Sequence, residues 1–119
     1  MYSAQLIDHF QNPRHAGDIP AADAIAEIEN PVCGDMLRLS VRINAGRIAE
    51  IRFKAKGCVP SMACASALTE LVRGKSFAEA RVLDRARLIA AVGGLPQAST
   101  HAAQLALDAL STVLGQIKV

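Results

Sequence analysis

The chain has 119 residues and a formal net charge of +2, and 51% of its residues are hydrophobic, 20% charged and 3% aromatic. This length suits one domain, and the apolar fraction excludes an intrinsically disordered chain. The near balance of charge and the scarcity of aromatic rings argue against nucleic-acid binding. No apolar run is long enough to span a membrane, and the N-terminus does not resemble a secretory signal. We therefore expect residues 1–119 to form one soluble, cytoplasmic domain with no membrane partner.

The N-terminal quarter of the chain predicts one short helix followed by irregular structure. Residues 3–10 have helical apolar spacing, and the proline at position 13 ends the helix. The expected buried face consists of Leu6, Ile7 and Phe10. Residues 14–30 contain glycine and proline breakers and are expected to be irregular, apart from a short edge strand around residues 25–28.

The clearest pattern is a strict alternation of apolar and polar residues over about 36–56, interrupted at Ala45-Gly46. It predicts a β-hairpin with one buried face and one solvated face. The expected buried side chains are Leu37, Leu39, Val41, Ile43, Ala49, Ile51, Phe53 and Ala55. The opposite face carries the basic residues Arg38, Arg42, Arg52, Lys54 and Lys56. We interpret these as an ordinary solvated face, with a docking surface for an acidic partner as the alternative.

From residue 60 onward the spacing becomes helical. A helix is predicted from Ser61 to Arg73, and Ser76 with Glu79 forms a capping-box signature for a second, short helix. Asp84 is expected to begin a third helix, and Ser99 or Thr100 a long final one. The final helix is apolar around most of its circumference, which predicts burial across the inner face of the sheet. Strands followed by helices indicate an α+β fold.

Three cysteines, Cys33, Cys58 and Cys64, form an odd set without a secretory signal, which predicts reduced thiols. Residues on the buried face of a hairpin must pair with each other. With a three-residue loop, Cys33 then lies opposite Gly57; in the next allowed register, Cys58 lies opposite Gly34. Either register brings the first two thiols to the open end of the hairpin beside Asp35, with backbones about 5–8 Å apart. The neighbouring glycines are expected to leave room there for a bulky group.

These residues suggest a metal site at the open end of the hairpin. Cys58 precedes the predicted helix from Ser61, whose N-terminus should lower the pKa of the thiol. His101, in the first turn of the final helix, can complete the site if that helix end faces the hairpin opening. The combination of Cys33, Asp35, Cys58 and His101 would match a tetrahedral metal site, and two inert buried thiols are the alternative.

The remaining thiol and histidines are expected to be structural. Cys64 shares a helical stripe with Leu68, Leu71 and Val72, so we interpret it as a small core residue rather than a further ligand. Nothing in the spacing links His9 or His15 to the other candidate residues, and both are expected on the surface.

Five segments occur in a characteristic order: IDHFQNPRHAG, NPVCGDMLRLSVRI, FKAKGC, ELVRGKS and HAAQLALDAL. Over essentially its full length the chain resembles the U-type iron–sulfur cluster assembly scaffold family, the NifU-like N-terminal domain. The resemblance implies a three-stranded antiparallel sheet, the hairpin plus an edge strand, with helices packed on one face. It also places Cys33, Asp35, Cys58 and His101 at the family's cluster or zinc ligand positions.

The same resemblance implies what the protein handles and which proteins it meets. The cargo would be iron or a labile [2Fe–2S] cluster, with zinc bound in the isolated protein. The partners would be a cysteine desulfurase and apo iron–sulfur acceptor proteins, and the protein would not be an enzyme. These are expectations from the resemblance and not from composition or spacing.

Two departures from the family pattern affect these expectations. The family has a third cysteine directly after the histidine, where this chain has Ala102. The family segment that recruits a dedicated chaperone resembles Leu-Pro-Pro-Val-Lys, whereas residues 95–99 here read Leu-Pro-Gln-Ala-Ser. The first departure predicts impaired cluster assembly, and the second argues against recruitment of that chaperone.

Three classes of function remain open at this point. The first is a scaffold or carrier for a labile iron–sulfur cluster. The second is a divergent, assembly-deficient relative that binds zinc and has a regulatory or partner-binding role. The third, ranked last, is a thiol enzyme with Cys58 as nucleophile, His101 as base and Asp35 as orienting group.

Overall fold

The computed structural model describes residues 2–30 and 34–117 and confirms the α+β fold class in that part of the chain. The elements in chain order are helix α1 (Ala4–Gln11), strands β1 (Ala24–Glu29), β2 (Met36–Asn44) and β3 (Arg47–Lys56), helices α2 (Val59–Val72), α3 (Phe77–Arg81) and α4 (Arg85–Ala91), a 3₁₀ turn (Gln97–Ser99) and helix α5 (Thr100–Gly115). The strands form an antiparallel sheet in the order β1–β2–β3. Helix α5 packs against β1 and β2, and α2 packs against β3, so both lie on one face of the sheet.

The hairpin is confirmed, but its turn is shorter than predicted. Asn44 pairs with Arg47 across a two-residue loop, in which Ala45 and Gly46 have φ angles of 54° and 74°. A register shift next to the turn then inserts one extra residue into β3. As a result Ile48 is fully buried and Ala49 is exposed, so the predicted burial of Ala49 and the three-residue loop are both wrong. Beyond the shift, the pairing follows the second of the two registers allowed by the sequence.

The outer face of the sheet is less solvated than its polar pattern suggests, because the segment from residue 15 to residue 23 lies across it. This segment begins beside β3, where Gly17 N donates to Phe53 O, and ends beside β2, where Asp23 N donates to Val41 O. Ser40, at the centre of β2 on this face, is consequently only 1% exposed.

Several of the basic side chains on this face form ion pairs within the chain. Asp18 lies 3.1 Å from Arg38 Nε and 2.9 Å from Lys54 Nζ through its two carboxylate oxygens. Glu50 lies 2.9 Å from Arg52 Nε. These contacts neutralise much of the positive charge that a docked acidic partner would use.

Helix α1 packs on α2 through a different pair of residues from the one predicted. Leu6 is buried as expected, but its buried companion is His9, whereas Ile7 and Phe10 are 40% and 37% exposed. His9 Nδ1 lies 2.8 Å from the Ser66 hydroxyl of α2, which satisfies the imidazole inside the interface. The predicted surface position of His9 is therefore wrong.

The C-terminal helices follow the sequence signals closely. Ser76 and Glu79 form the reciprocal capping box of α3, and Asp84 accepts a hydrogen bond from Arg87 N at the start of α4. Cys64 is fully buried in the core, as predicted. Within the described residues, no helix combines the length and apolar character needed to cross a membrane.

Candidate metal centre

Three chain segments meet at the open end of the hairpin, and each contributes one potential metal ligand. Asp35 precedes β2 and continues the inward-facing alternation of Leu37 and Leu39, so its carboxylate points to the helical side of the sheet. Cys58 is the N-cap residue of α2. His101 lies in the first turn of α5, and this end of the helix faces the open end of the hairpin, as the sequence predicts for a shared site.

The Asp35 carboxylate is the centre of this group. Its Oδ1 accepts a hydrogen bond of 3.1 Å from Cys58 N. Its Oδ2 accepts bonds of 3.1 Å from Cys58 Sγ and 2.6 Å from the Ser61 hydroxyl. Asp35 is only 3% exposed, so these donors compensate for the loss of water around the carboxylate. The acid also supplies the helix N-terminus with a negative charge.

Gly57 makes this arrangement possible. In the register of the hairpin it lies across from Asp35, and its φ angle is 144°. A Cβ atom at this position would lie 2.6 Å from Asp35 Cγ, which is closer than two unbonded carbon atoms can approach. The sequence predicts room for a bulky group beside this glycine, and in the structure the Asp35 side chain fills that space.

His101 offers a free lone pair toward Asp35. Its Nδ1 lies 3.2 Å from the carbonyl oxygen of Ala98, and because a carbonyl only accepts, Nδ1 must carry the proton. In the neutral ring Nε2 is then unprotonated, which is the form that binds metals. Nε2 is buried, has no hydrogen-bond partner among the described residues and lies 3.5 Å from Asp35 Oδ2.

The three donor atoms lie close enough together to become ligands of one metal ion. The carboxylate oxygen of Asp35, Cys58 Sγ and a ring nitrogen of His101 all lie within 4.8 Å of one another. Ligand atoms around a tetrahedral zinc ion lie about 3.3–3.8 Å apart. The group lines an open pocket of about 360 Å³, which Tyr2, Pro60 and Ser99 complete.

The pKa of the Cys58 thiol is raised, whereas the sequence predicts that it is lowered. Burial raises its pKa, and the neighbouring Asp35 carboxylate raises it further, against an opposing effect of hydrogen bonds from Ser61. The predicted lowering by the helix N-terminus is therefore wrong, since desolvation and a nearby negative charge outweigh it. Burial raises the pKa of the Cys64 thiol to about 12, which does not suit a ligand role.

The structure thus brings together three of the four residues singled out from the sequence: Asp35, Cys58 and His101. Cys33 falls outside the described residues, so its assignment stays a prediction. Ala102, at the position of the missing cysteine, is 1% exposed. Sequence reasoning missed Ser61, although its position one helical turn after Cys58 placed it on the same side of α2.

Comparisons with known proteins show the family of the chain and agree with the fold. The model of the NifU-like N-terminal domain family matches residues 1–118. An iron–sulfur cluster assembly scaffold protein from Archaeoglobus fulgidus is 42% identical over 92% of this chain and 72% of its own length. A scaffold protein of the same name from Aquifex aeolicus is 34% identical over 95% of this chain and 73% of its own length.

Solved structures show the same architecture. The crystal structure of a putative iron–sulfur cluster assembly scaffold protein for the SUF system from Fervidobacterium islandicum superposes with a TM-score of 0.79 at 21% identity, covering 95% of this chain and 96% of that one. The match of the family model to nearly the whole chain, together with these relatives, shows that the chain belongs to the NifU-like N-terminal domain family.

Proposed function

We propose that this protein is an iron–sulfur cluster assembly scaffold or carrier that binds iron, zinc or a labile iron–sulfur cluster and transfers the cluster to acceptor proteins. The ligands would be Asp35, Cys58 and His101, with Cys33 as the fourth. The observation that carries the proposal is the position of His101 Nε2, which is buried without a hydrogen-bond partner among the described residues and lies 3.5 Å from a carboxylate oxygen of Asp35. Two facing lone pairs are stabilised when a cation lies between them.

The residues of the site perform two tasks in this function. They hold the cargo, for which Cys58 must lose its proton, and Asp35 Oδ2 at 3.1 Å is its nearest acceptor. They also allow the cargo to leave, because a hard carboxylate oxygen binds iron in a cluster less strongly than a thiolate does. An open pocket on the protein surface suits delivery to an apo acceptor protein.

Ala102 limits how such a cluster could be built. Sulfur delivered as persulfide by a cysteine desulfurase would have only Cys33 or Cys58 to receive it, and both are also required as ligands. We therefore expect weak or absent enzymatic assembly but measurable binding of a chemically reconstituted [2Fe–2S] cluster. The changed segment at residues 95–99 argues against recruitment of the dedicated chaperone. The expected compartment is the cytoplasm.

The second candidate function is that of a zinc-binding, assembly-deficient family member with a regulatory or partner-binding role. The close spacing of the three donor atoms favours it, because all three can reach a single ion after small side-chain movements. A [2Fe–2S] cluster takes its ligands as one pair on each iron, which requires a wider arrangement.

Metal and acid-labile sulfide analysis of the purified protein, prepared with and without oxygen, separates the two candidates. Iron with acid-labile sulfide supports the carrier. Zinc alone, together with failure to hold a chemically reconstituted cluster, supports the second function. The matched variants are Cys58→Ala and Cys64→Ala, each of which removes one thiol. We expect the first to lose the metal and the second to keep it. Equal metal content in both variants would contradict the assignment of the site.

A further inference from the structure

We infer that Ser61 is a positioning residue of the metal centre, which orients Asp35 for metal binding and then donates a hydrogen bond to the Cys58 thiolate. This inference rests on the proposed function. It concerns a side chain that is not itself a ligand, since a neutral serine hydroxyl is a weak donor to a metal ion beside a thiolate and an imidazole.

The geometry of Ser61 carries the first part of the inference. Its hydroxyl donates to Asp35 Oδ2 over 2.6 Å, which is shorter than the 3.1 Å bonds that this carboxylate accepts from Cys58 N and Cys58 Sγ. Ser61 is 4% exposed and lies in the first turn of α2, so its position is set by the helix and its packing. A charge-assisted bond from such a fixed donor holds the carboxylate in one orientation.

The second part follows from a second contact of the same hydroxyl. Ser61 Oγ also lies 3.2 Å from Cys58 Sγ. While the thiol is protonated, both the thiol and the hydroxyl can donate to Asp35. A bound metal would replace the thiol proton and take Asp35 as a ligand, and the Cys58 thiolate would then be a hydrogen-bond acceptor. Rotation of the hydroxyl about its Cβ–Oγ bond is enough to redirect the proton, because both acceptors are already within reach.

This contact has a consequence that a purely structural serine would lack. A hydrogen bond lowers the energy of the thiolate lone pairs, so it raises the energy of charge transfer from sulfur to a bound metal. The groups that orient metal ligands typically contribute 10–100-fold to metal affinity. Removal of the hydroxyl should therefore weaken metal binding and shift the charge-transfer band to longer wavelength.

Titration with Co²⁺ under anaerobic conditions tests the inference, because Co²⁺ occupies zinc sites and reports thiolate ligation in its absorption spectrum. We expect Ser61→Ala to bind Co²⁺ about 10–100-fold more weakly than the unmodified protein and to show a red-shifted band. Ser61→Thr, which keeps the hydroxyl, should restore affinity and band position. Alanine is a strong helix former, so the first variant is expected to fold.

The matched control is Ser66→Ala, which removes another buried serine from α2. The Ser66 hydroxyl contacts His9 and Arg14 N rather than the metal centre. We expect this variant to lose stability but to keep the Co²⁺ affinity and spectrum of the unmodified protein. A Ser61→Ala variant with unchanged Co²⁺ affinity and an unshifted charge-transfer band would overturn the inferred role of Ser61 but not the proposed metal centre. Absence of Co²⁺ binding to the unmodified protein would overturn the proposed metal centre together with it.

Discussion

The substitution Gly57→Ala tests how the centre is assembled without altering any proposed ligand. The new Cβ would overlap the Asp35 carboxyl group, whose Cγ would lie 2.6 Å away. The Cβ would also lie 3.0 Å from the Asp35 Cα, so displacement of Asp35 is needed to relieve the overlap. We expect Asp35 to leave its position between Cys58 and His101.

The expected loss of stability follows from the bonds that Asp35 makes. The carboxylate would give up its hydrogen bonds from Cys58 N and Ser61, and bonds to charged groups contribute about 1.5–3 kcal/mol each. Hydration of the released carboxylate offsets part of this loss. A side chain at positive φ adds about 1–2 kcal/mol of strain. A total destabilisation of about 2–5 kcal/mol is the result.

Gly74→Ala is the matched control, because Gly74 also has a positive φ, of 81°, but nothing within 4 Å of an added Cβ. The added strain should lower the free energy of unfolding of this variant, measured in urea, by only about 1–2 kcal/mol. In competition with a chromophoric chelator, Gly57→Ala should bind zinc at least 10–100-fold more weakly, and Gly74→Ala should match the unmodified protein. Equal zinc affinity of the two variants would refute the idea that this glycine positions Asp35.

Three further predictions concern pH and the missing thiol. Because the pKa of the Cys58 thiol is raised, its proton must be released on metal binding near neutral pH, so the logarithm of zinc affinity should rise with pH. This slope is measured by chelator competition, and a zinc affinity that does not change with pH would contradict the ligand role of Cys58. Ala102→Cys should increase the rate of desulfurase-dependent cluster assembly and the lifetime of the cluster, both followed by absorbance; identical kinetics would show that the third thiol is not limiting. Burial lowers the pKa of His9 below 6.5 in the folded protein. As the pH falls, this histidine is therefore protonated in the unfolded chain before it is protonated in the folded one, and the free energy of unfolding should decrease below about pH 6.5. His9→Gln should flatten this part of the urea-unfolding profile, and a profile as steep as that of the unmodified protein would exclude His9 as its source.

Much of the fold was accessible from local patterns in the sequence. The alternation in the hairpin predicted β2 and β3, and the capping signals at Ser76 and Asp84 predicted where α3 and α4 begin. These features depend on interactions within a few residues, which is why a single sequence reveals them. The parity of the hairpin also placed Asp35 beside Cys58, because a one-residue slip would have moved every core side chain of the strand to the other face.

Other features depended on contacts between segments that are distant in the sequence. The extra residue in β3 exchanged Ile48 for Ala49 on the buried face, and the alternation alone does not reveal such an insertion. His9 is polar by type, yet it is buried because Ser66, 57 residues away, accepts or donates its hydrogen bond.

For the site as well, the sequence determined some of the chemistry and the tertiary structure determined the rest. Residue types and order indicated which side chains could bind a metal, since thiolate, imidazole and carboxylate are recognisable in any sequence. The raised pKa of Cys58, the position of His101 Nε2 beside Asp35 and the contacts of Ser61 with both acid and thiol were decided only by the tertiary structure. The physical reason is that pKa values and hydrogen bonds depend on burial and on distances of a few ångströms, which are set only when the three segments meet.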